Sequence, residues 1–333
     1  MFSTCLDLAL LCHPVLAFVT MSRPKMQVQD LRLQYFLISF LSVLALRYAS
    51  TSYFSLPGEV VIDVCQTHDQ PNPIASLYPN NATGTLNGTV AVIPISLKLA
   101  REVIPPQYRI LEHAYRHILP DFPEGMYPAV LQALHDHEVQ AFGYQIPDFS
   151  RTSIEFPFLD LLGDNATSFK WAPSLLMTAG HDIALKGAMD YGTNTFASIF
   201  DPPCDAYRSV PRSRNPGTTH FSAKSSEAGA ASVRTVFSVT TEFSFPLAFF
   251  KNVTNQPTFA DGKTCDNMIR LFNTSLTTAP NRIDTVRGTV KAKIAPFTEE
   301  REWKNVYGVR MDTAFIENNY LPCENFRGYG SSE

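Results

Sequence analysis

Two lysines of this chain sit among apolar residues. Lys170 stands between Phe169 and Trp171, and Lys186 follows Ile183-Ala184-Leu185. Read as a strand over Asp182 to Met189, alternation puts Ala184, Lys186 and Ala188 on one face, with Asp182 and Asp190 at its ends. Small neighbours leave room for a ligand beside the amine; on an edge strand the same lysine would face solvent. Lys98, Lys291 and Lys293 fit solvated surfaces. Carboxylates gather at Asp148, Glu155, Asp160 and Asp164. Glu155 is embedded in the apolar run Ile154, Phe156, Phe158 and is expected to face a cavity, whereas Asp164 in Gly163-Asp164-Asn165 reads as a turn residue.

The histidines invite a metal reading and fall short of one. His113 and His117 lie four apart on a predicted helix, beside Glu112 and Arg116, which marks a solvated face. His135-x-His137 would need a third ligand close by. Positions 141 and 142 are Ala and Phe, where a cupin-like metal barrel would offer a Glu. No metal and no cofactor is expected. The chain has no Gly-x-Gly-x-x-Gly opening a helix, no phosphate-binding Walker loop and no Gly-x-Ser-x-Gly elbow.

These residues need a scaffold. The 333 residues are 45% hydrophobic and 17% charged, with a formal net charge of −4, which argues against extensive disorder and, with no basic block, against nucleic-acid binding. With 24 prolines against 16 glycines, short strands broken by turns are favoured over a helical bundle. Val90 to Ile95 reads as a strand, then Ser96 caps a helix that Pro105-Pro106 stops, and a second helix is predicted over Gln107 to Leu119. Strands are predicted over Glu138 to Ile146, Ser153 to Leu162, Ser168 to Ala179, Asp182 to Met189, Asn194 to Phe200 and Val233 to Phe250. Thr285 to Pro296 alternates most clearly, with Val286, Val290 and Ile294 facing opposite Arg287, Lys291 and Lys293. Residues 205–232, poor in large apolar side chains, read as a mobile loop. With no βαβ rhythm, the expectation is a mainly-β domain: an antiparallel β-cone or closed barrel with a central cavity and two flanking N-terminal helices.

Residues 1–50 have the layout of a signal peptide or an uncleaved signal anchor. Arg23, Lys25 and Arg32 precede the apolar run Phe36 to Leu46, and Ala49, Ser50 and Ser52 follow it. A buried N-terminal helix is the other reading, and Met21 or Met26 is a candidate start. Residues 51–86 are expected to form an extended lead-in, and the mainly-β domain is placed at 87–325. Asn81, Asn87, Asn165, Asn252 and Asn273 begin glycosylation sequons. Cys65, Cys204, Cys265 and Cys323 are widely spaced and suit two disulfides, with three pairings possible. Both features point to the secretory pathway or secretion, with contact to a membrane only through an uncleaved N-terminal segment.

Taken together, three segments resemble the acetoacetate decarboxylase family, particularly its fungal members. The first runs from Leu99-Ala100-Arg101-Glu102-Val103-Ile104-Pro105 to Ile110. The second spans Glu155-Phe156-Pro157, Gly163-Asp164, Asp182-Ile183-Ala184-Leu185 and Tyr191-Gly192. The third is Trp303-Lys304-Asn305-Val306-Tyr307-Gly308, then Phe315-Ile316 and Tyr320-Leu321-Pro322. The likeness covers about Gly88 to Cys323, carried by order and spacing.

What the resemblance implies is a β-cone around a cavity and loss of CO₂ from a β-keto acid. A lysine amine condenses with the ketone, and the protonated imine accepts the electrons of the breaking C–C bond. The amine must be neutral to attack; bringing a lysine from 10.4 to near 6 takes about 6 kcal/mol of differential destabilisation. In the bacterial enzymes the reactive lysine follows a Tyr-Pro-like pair, and the matching place here, Tyr191-Gly192-Thr193-Asn194, has none. The resemblance therefore moves the role to Lys186, with Glu155 or Asp148 as acidic partner, Arg109 or Arg151 as carboxylate anchor and Tyr191 at the substrate. Fungal members accompany polyketide synthases, which implies a polyketide-derived β-keto acid and a place in secondary-metabolite (toxin) biosynthesis. The alternatives are a non-catalytic secreted barrel binding a small apolar ligand, and a different lysine reaction such as aldol addition or dehydration. A homo-oligomer is compatible with either.

Overall fold

The computed structural model describes residues 70–242 and 245–330. The N-terminal address segment, most of the lead-in and Cys65 lie outside the described residues. β1 (Ala82–Ser96) runs directly into α1 (Leu97–Val103), where the Ser96 hydroxyl accepts the Leu99 N–H at 3.1 Å and caps the first turn. β2 (Arg109–Ile110) and α2 (Glu112–Ile118) follow, so the second predicted helix starts five residues later than expected. β3 (Met126–Ala141) pairs antiparallel with both β4 (Tyr144–Ile146) and β5 (Phe149–Asp160). β6 (Phe169–Trp171), β7 (Ser174–Thr178), α3 (Asp182–Met189) and β8 (Asn194–Asp201) come next. β9 (Arg208–Ser209), β10 (Thr219–Ser225) and β11 (Ser232–Val239) lead to α4 (Leu247–Asn255). β12 (Thr258–Phe259), β13 (Thr264–Leu271), β14 (Asp284–Lys293) and β15 (Arg301–Pro322) complete the sheet.

The strands close a ring. Pairing runs β3-β5-β7-β8-β10-β11-β14-β15-β1 and returns to β3. A side branch, β13-β12-β6, bridges β15 back to β5. The sheet is mixed rather than purely antiparallel: β7 pairs parallel to β8, and β6 parallel to β12. Parallel neighbours need a crossover, and α3 supplies it between β7 and β8. This corrects both the expected antiparallel cone and the absence of a βαβ unit.

Other sequence expectations change for physical reasons. The predicted strand Asp182–Met189 is the helix α3, whose first turn is capped by the His181 ring accepting the Ala184 N–H at 3.1 Å. Ala, Leu, Lys and Met in that segment all favour helix. Residues 205–232 are not one mobile loop, because β9 and β10 lie within them. β10 needs little apolar bulk, since β8 and β11 satisfy its backbone on both edges. Val233–Phe250 is a strand only to Val239, and α4 takes over from Leu247. Pro173, with no N–H to donate, separates β6 from β7. The alternation in β14 appears as read, with Val286 and Val290 buried and Lys291 exposed.

β1, β3 and β5 are buried on both faces along most of their length. One face lines the ring interior and the other packs under helices around Tyr115, Tyr127, Phe158 and Phe249. Each such fully buried large side chain contributes about 1.5–3 kcal/mol of hydrophobic stabilisation. Gly88 belongs to this core: a Cβ there would stand 2.2 Å from the Ala133 carbonyl oxygen, so only glycine lets β1 and β3 approach. A disulfide joins Cys265 on β13 to Cys323, just past β15, and Cys204 is disulfide-bonded as well. Of the sequon asparagines, Asn165 and Asn273 are exposed, while Asn81, Asn87 and Asn252 are half-buried. Among the described residues no helix is long and apolar enough to cross a membrane.

Candidate functional site

The ring and its side branch enclose a cavity of about 490 Å³, within the range of small-molecule sites. β3 and β5 supply its inner wall. Their register sets Gln132 opposite Ser153 and Leu134 opposite Arg151, so Gln132, Asp136, Arg151, Ser153 and Glu155 share one face. β6 adds Lys170. Its backbone N–H bonds the Pro257 carbonyl at 2.9 Å, and the strand is held between β5 and β12. Phe169 and Trp171 turn away into the core, and alternation sends Lys170 into the cavity. β13 contributes Asp266, Met268 and Arg270 at every second residue, and β15 contributes Phe315, Glu317 and Asn319 in the same way.

At the inner end these groups form one network. Lys170 is only 4% exposed, and its Nζ lies 3.2 Å from Glu155 Oε2. The Ser153 hydroxyl donates to Glu155 Oε1 at 2.9 Å, and Gln132 Nε2 donates to Oε2. Arg270 Nη2 in turn donates to Gln132 Oε1. Burial pushes the Lys170 amine below its ordinary pKa against the pull of Glu155, and the Arg270 guanidinium adds to the lowering. Burial pushes Glu155 up, but Lys170, Ser153 and Arg151 outweigh it and hold the carboxyl below its usual range. Arg151 Nε donates to Asp136 Oδ2 at 2.9 Å and its Nη2 approaches Met268 Sδ at 3.2 Å.

Arg270 is the odd member. It is 3% exposed, and its Nε and Nη1 have no hydrogen-bond partner among the described residues. Buried unpartnered donors cost about 1–3 kcal/mol each, more when charged. A guanidinium left in that state on a cavity wall is suited to an anionic ligand group. Val139, Ile146, Phe149, Leu175 and Phe259 give the cavity apolar walls beside its polar members.

α3 lies across the mouth. None of its residues is buried, yet Ile183, Ala184, Gly187 and Ala188 line the cavity. Tyr191, just beyond α3, stacks on Tyr320 with ring centroids 4.7 Å apart, and its hydroxyl accepts the Tyr320 N–H at 3.1 Å. That pair ties the crossover to the end of β15.

The sequence-predicted residues divide accordingly. Glu155 and Arg151 are brought together in the inner network, and Tyr191 stands at the mouth. Lys186 is corrected: on a helix it no longer shares a face with Ala184 and Ala188, its side chain is 72% exposed at the rim, and its ammonium pairs with Asp190 at 2.5 Å. Asp148 lies outside the cavity and accepts the Glu138 N–H at 3.2 Å. Arg109 is on β2, away from the cavity, paired with Asp160 at 2.5 Å. His135 and His137 are buried within β3, bonded to Ser150 and Thr85. No group of three or more His, Cys, Asp or Glu among the described residues could hold a metal ion. Lys170, Arg270, Asp266 and Glu317 were not singled out as site residues from the sequence.

No protein-family profile matches the chain, and no curated protein matches it. Among solved structures it is similar to an acetoacetate decarboxylase-like enzyme from Sphingomonas wittichii RW1, at 11% identity and a TM-score of 0.44, over 77% of this chain and 98% of that one. It is also similar to the enduracididine biosynthesis enzyme MppR complexed with pyruvate, at 12% identity and a TM-score of 0.42, over 80% and 96%. Likeness at this level carries no inference about activity.

Proposed function

We propose that this chain is a lysine-dependent decarboxylase of β-keto acids, with Lys170 rather than Lys186 as the reacting amine. The observation that carries the reading is the buried Lys170 amine on the cavity wall, its pKa lowered by burial and by Arg270. Such an amine is the kind that attacks a ketone. In the first step the Lys170 nitrogen adds to the carbonyl carbon and water leaves, giving a protonated imine. Glu155, hydrogen-bonded within the network, takes the proton from the ammonium so that the nitrogen can attack, and returns it to the hydroxyl that leaves as water. The substrate carboxylate is oriented by the free N–H groups of Arg270. The bond to the carboxyl carbon then breaks, CO₂ departs, and the electron pair moves into the imine to give an enamine. Protonation at carbon and hydrolysis release the ketone and restore the amine. The apolar walls suit a hydrocarbon chain, and a polyketide-derived β-keto acid in secondary metabolism, met along the secretory pathway, belongs to the same proposal.

A non-catalytic cavity that only binds a small ligand is favoured by one observation: the 3.2 Å pairing with Glu155 stabilises Lys170 in its charged form. CO₂ release from a panel of β-keto acids separates the two. The decarboxylase reading expects turnover by the native chain and loss of at least about a hundredfold in Lys170→Met, in the range of losing a covalent catalyst. Binding without CO₂ release by the native chain would establish the second reading.

A further inference from the structure

The cavity holds two carboxylates that the chemistry above does not use. Asp266 and Glu317 lie on the adjacent strands β13 and β15, and both line the cavity. Glu317 is registered opposite Met268, which makes Asp266 its diagonal neighbour. The pairing shifts between Cys265 and Asn267, so Asp266 sits at a β-bulge. Bulges recur where a side chain is re-aimed beside a functional site. Neither carboxylate is within salt-bridge distance of a Lys, Arg or His among the described residues, and the buried Asp266 Oδ1 has no hydrogen-bond partner. The nearby cations are engaged: Arg151 with Asp136, and Lys170 with Glu155. On the outer side stand Tyr191 and Tyr320, whose hydroxyls feel both acids electrostatically.

Arg270 shows independently that the cavity is built for a ligand, since it is buried with two nitrogens unpartnered. Its free donors call for an anionic group at the inner end. Glu317 is hydrogen-bonded to Asn319, but neither acid has a cationic partner among the described residues, which calls for a positive group nearer the mouth. We propose that Asp266 and Glu317 form a cation subsite, so that the keto acid taken by this cavity also carries a basic nitrogen, an ammonium or guanidinium. The inference rests on the keto-acid reading of Lys170 and Arg270 and names the substrate class more closely. Burial raises both acids, to about 7 for Asp266 and about 8 for Glu317; Glu155 adds to the first and Asp266 to the second, while Arg151 opposes both and Lys170 opposes the rise of Asp266. An arriving cation therefore displaces a proton held there at neutral pH.

A matched pair of probes tests this: levulinate, a stable keto acid, and 5-aminolevulinate, the same skeleton with a terminal ammonium. Titration calorimetry at pH 7 on the full chain is expected to give at least about tenfold tighter binding of 5-aminolevulinate. Its heat is expected to depend on the ionisation enthalpy of the buffer as a proton is released. In Asp266→Asn and Glu317→Gln, each checked for a native thermal transition, the affinity ratio is expected to fall towards one. Equal affinity for the two probes in the native chain overturns the cation subsite and leaves the keto-acid reading standing. Binding of neither probe overturns both.

Discussion

At the residue scale a pair of opposite charges is taken out of water together. Lys170 and Glu155 satisfy each other at 3.2 Å, with Ser153 and Gln132 filling the remaining carboxylate positions. Removing one partner strands the other as a buried charge, which costs about 3–5 kcal/mol, whereas removing both can be close to neutral. Lys170→Met is therefore expected to lower stability by about that amount. Lys170→Met combined with Glu155→Gln is expected to recover most of it; denaturant midpoints of the native chain, both single variants and the double variant close the cycle. Glu155 was legible in the sequence because alternation within its strand assigns it a face, whereas Arg151 lay outside the predicted strand and entered only through the family resemblance. Lys170 stood out between two aromatic residues but was not placed in the site, because the strand predicted over Ser168 to Ala179 is cut at Pro173 and β6 itself has only three residues. Asp266, Met268 and Arg270 do alternate, but a charged face on a strand reads as the solvent side. Here the wet side of β13 is the inside of a cavity, and the usual rule inverts.

At the element scale, the part of the fold that the sequence concealed is the crossover β7-α3-β8. Its eight helical residues bury none of their side chains, so no apolar stripe marks them as helix. The alternating Ile183 and Leu185 imitate a strand instead. β5, β8 and β14 and the first helix cap were readable, because local pattern and tertiary context agree there, whereas most of β3 and all of β15 were not read as strands. Since α3 has so little core beneath it, its order depends on its edges: the His181 cap at one end and the Tyr191–Tyr320 stack at the other. The Tyr320 hydroxyl also reaches the Gly187 carbonyl and Asp190, each at 3.4 Å. Tyr320→Ala is expected to speed amide hydrogen exchange across 182–192 by about tenfold or more, with β1 and β3 amides unchanged. Unchanged exchange in α3 would show that the stack does not hold the crossover.

At the scale of the whole molecule, the cavity makes stability depend on pH in a defined direction. Asp266 and Glu317 titrate near 4 in an unfolded chain but are held up to about 7 and about 8 in the fold. Between those values the folded state binds more protons than the unfolded one. Stability from this source is thus fully present below about pH 4 and is lost as pH rises through the folded values. The Asp266→Asn, Glu317→Gln double variant, relative to the native chain, is expected to gain melting temperature progressively from pH 5 to pH 8. A pH-independent difference would show that the acids are not raised in the fold. The ring of strands thus holds an uneven charge set around the cavity, and on the proposed reading the amine at its inner end is the reacting group. The most direct test is borohydride trapping with acetoacetate, followed by peptide mass analysis. The account predicts a reduced adduct on the peptide bearing Lys170, absent in Lys170→Met and present in Lys186→Ala; an adduct on another lysine, or none at all, would contradict it.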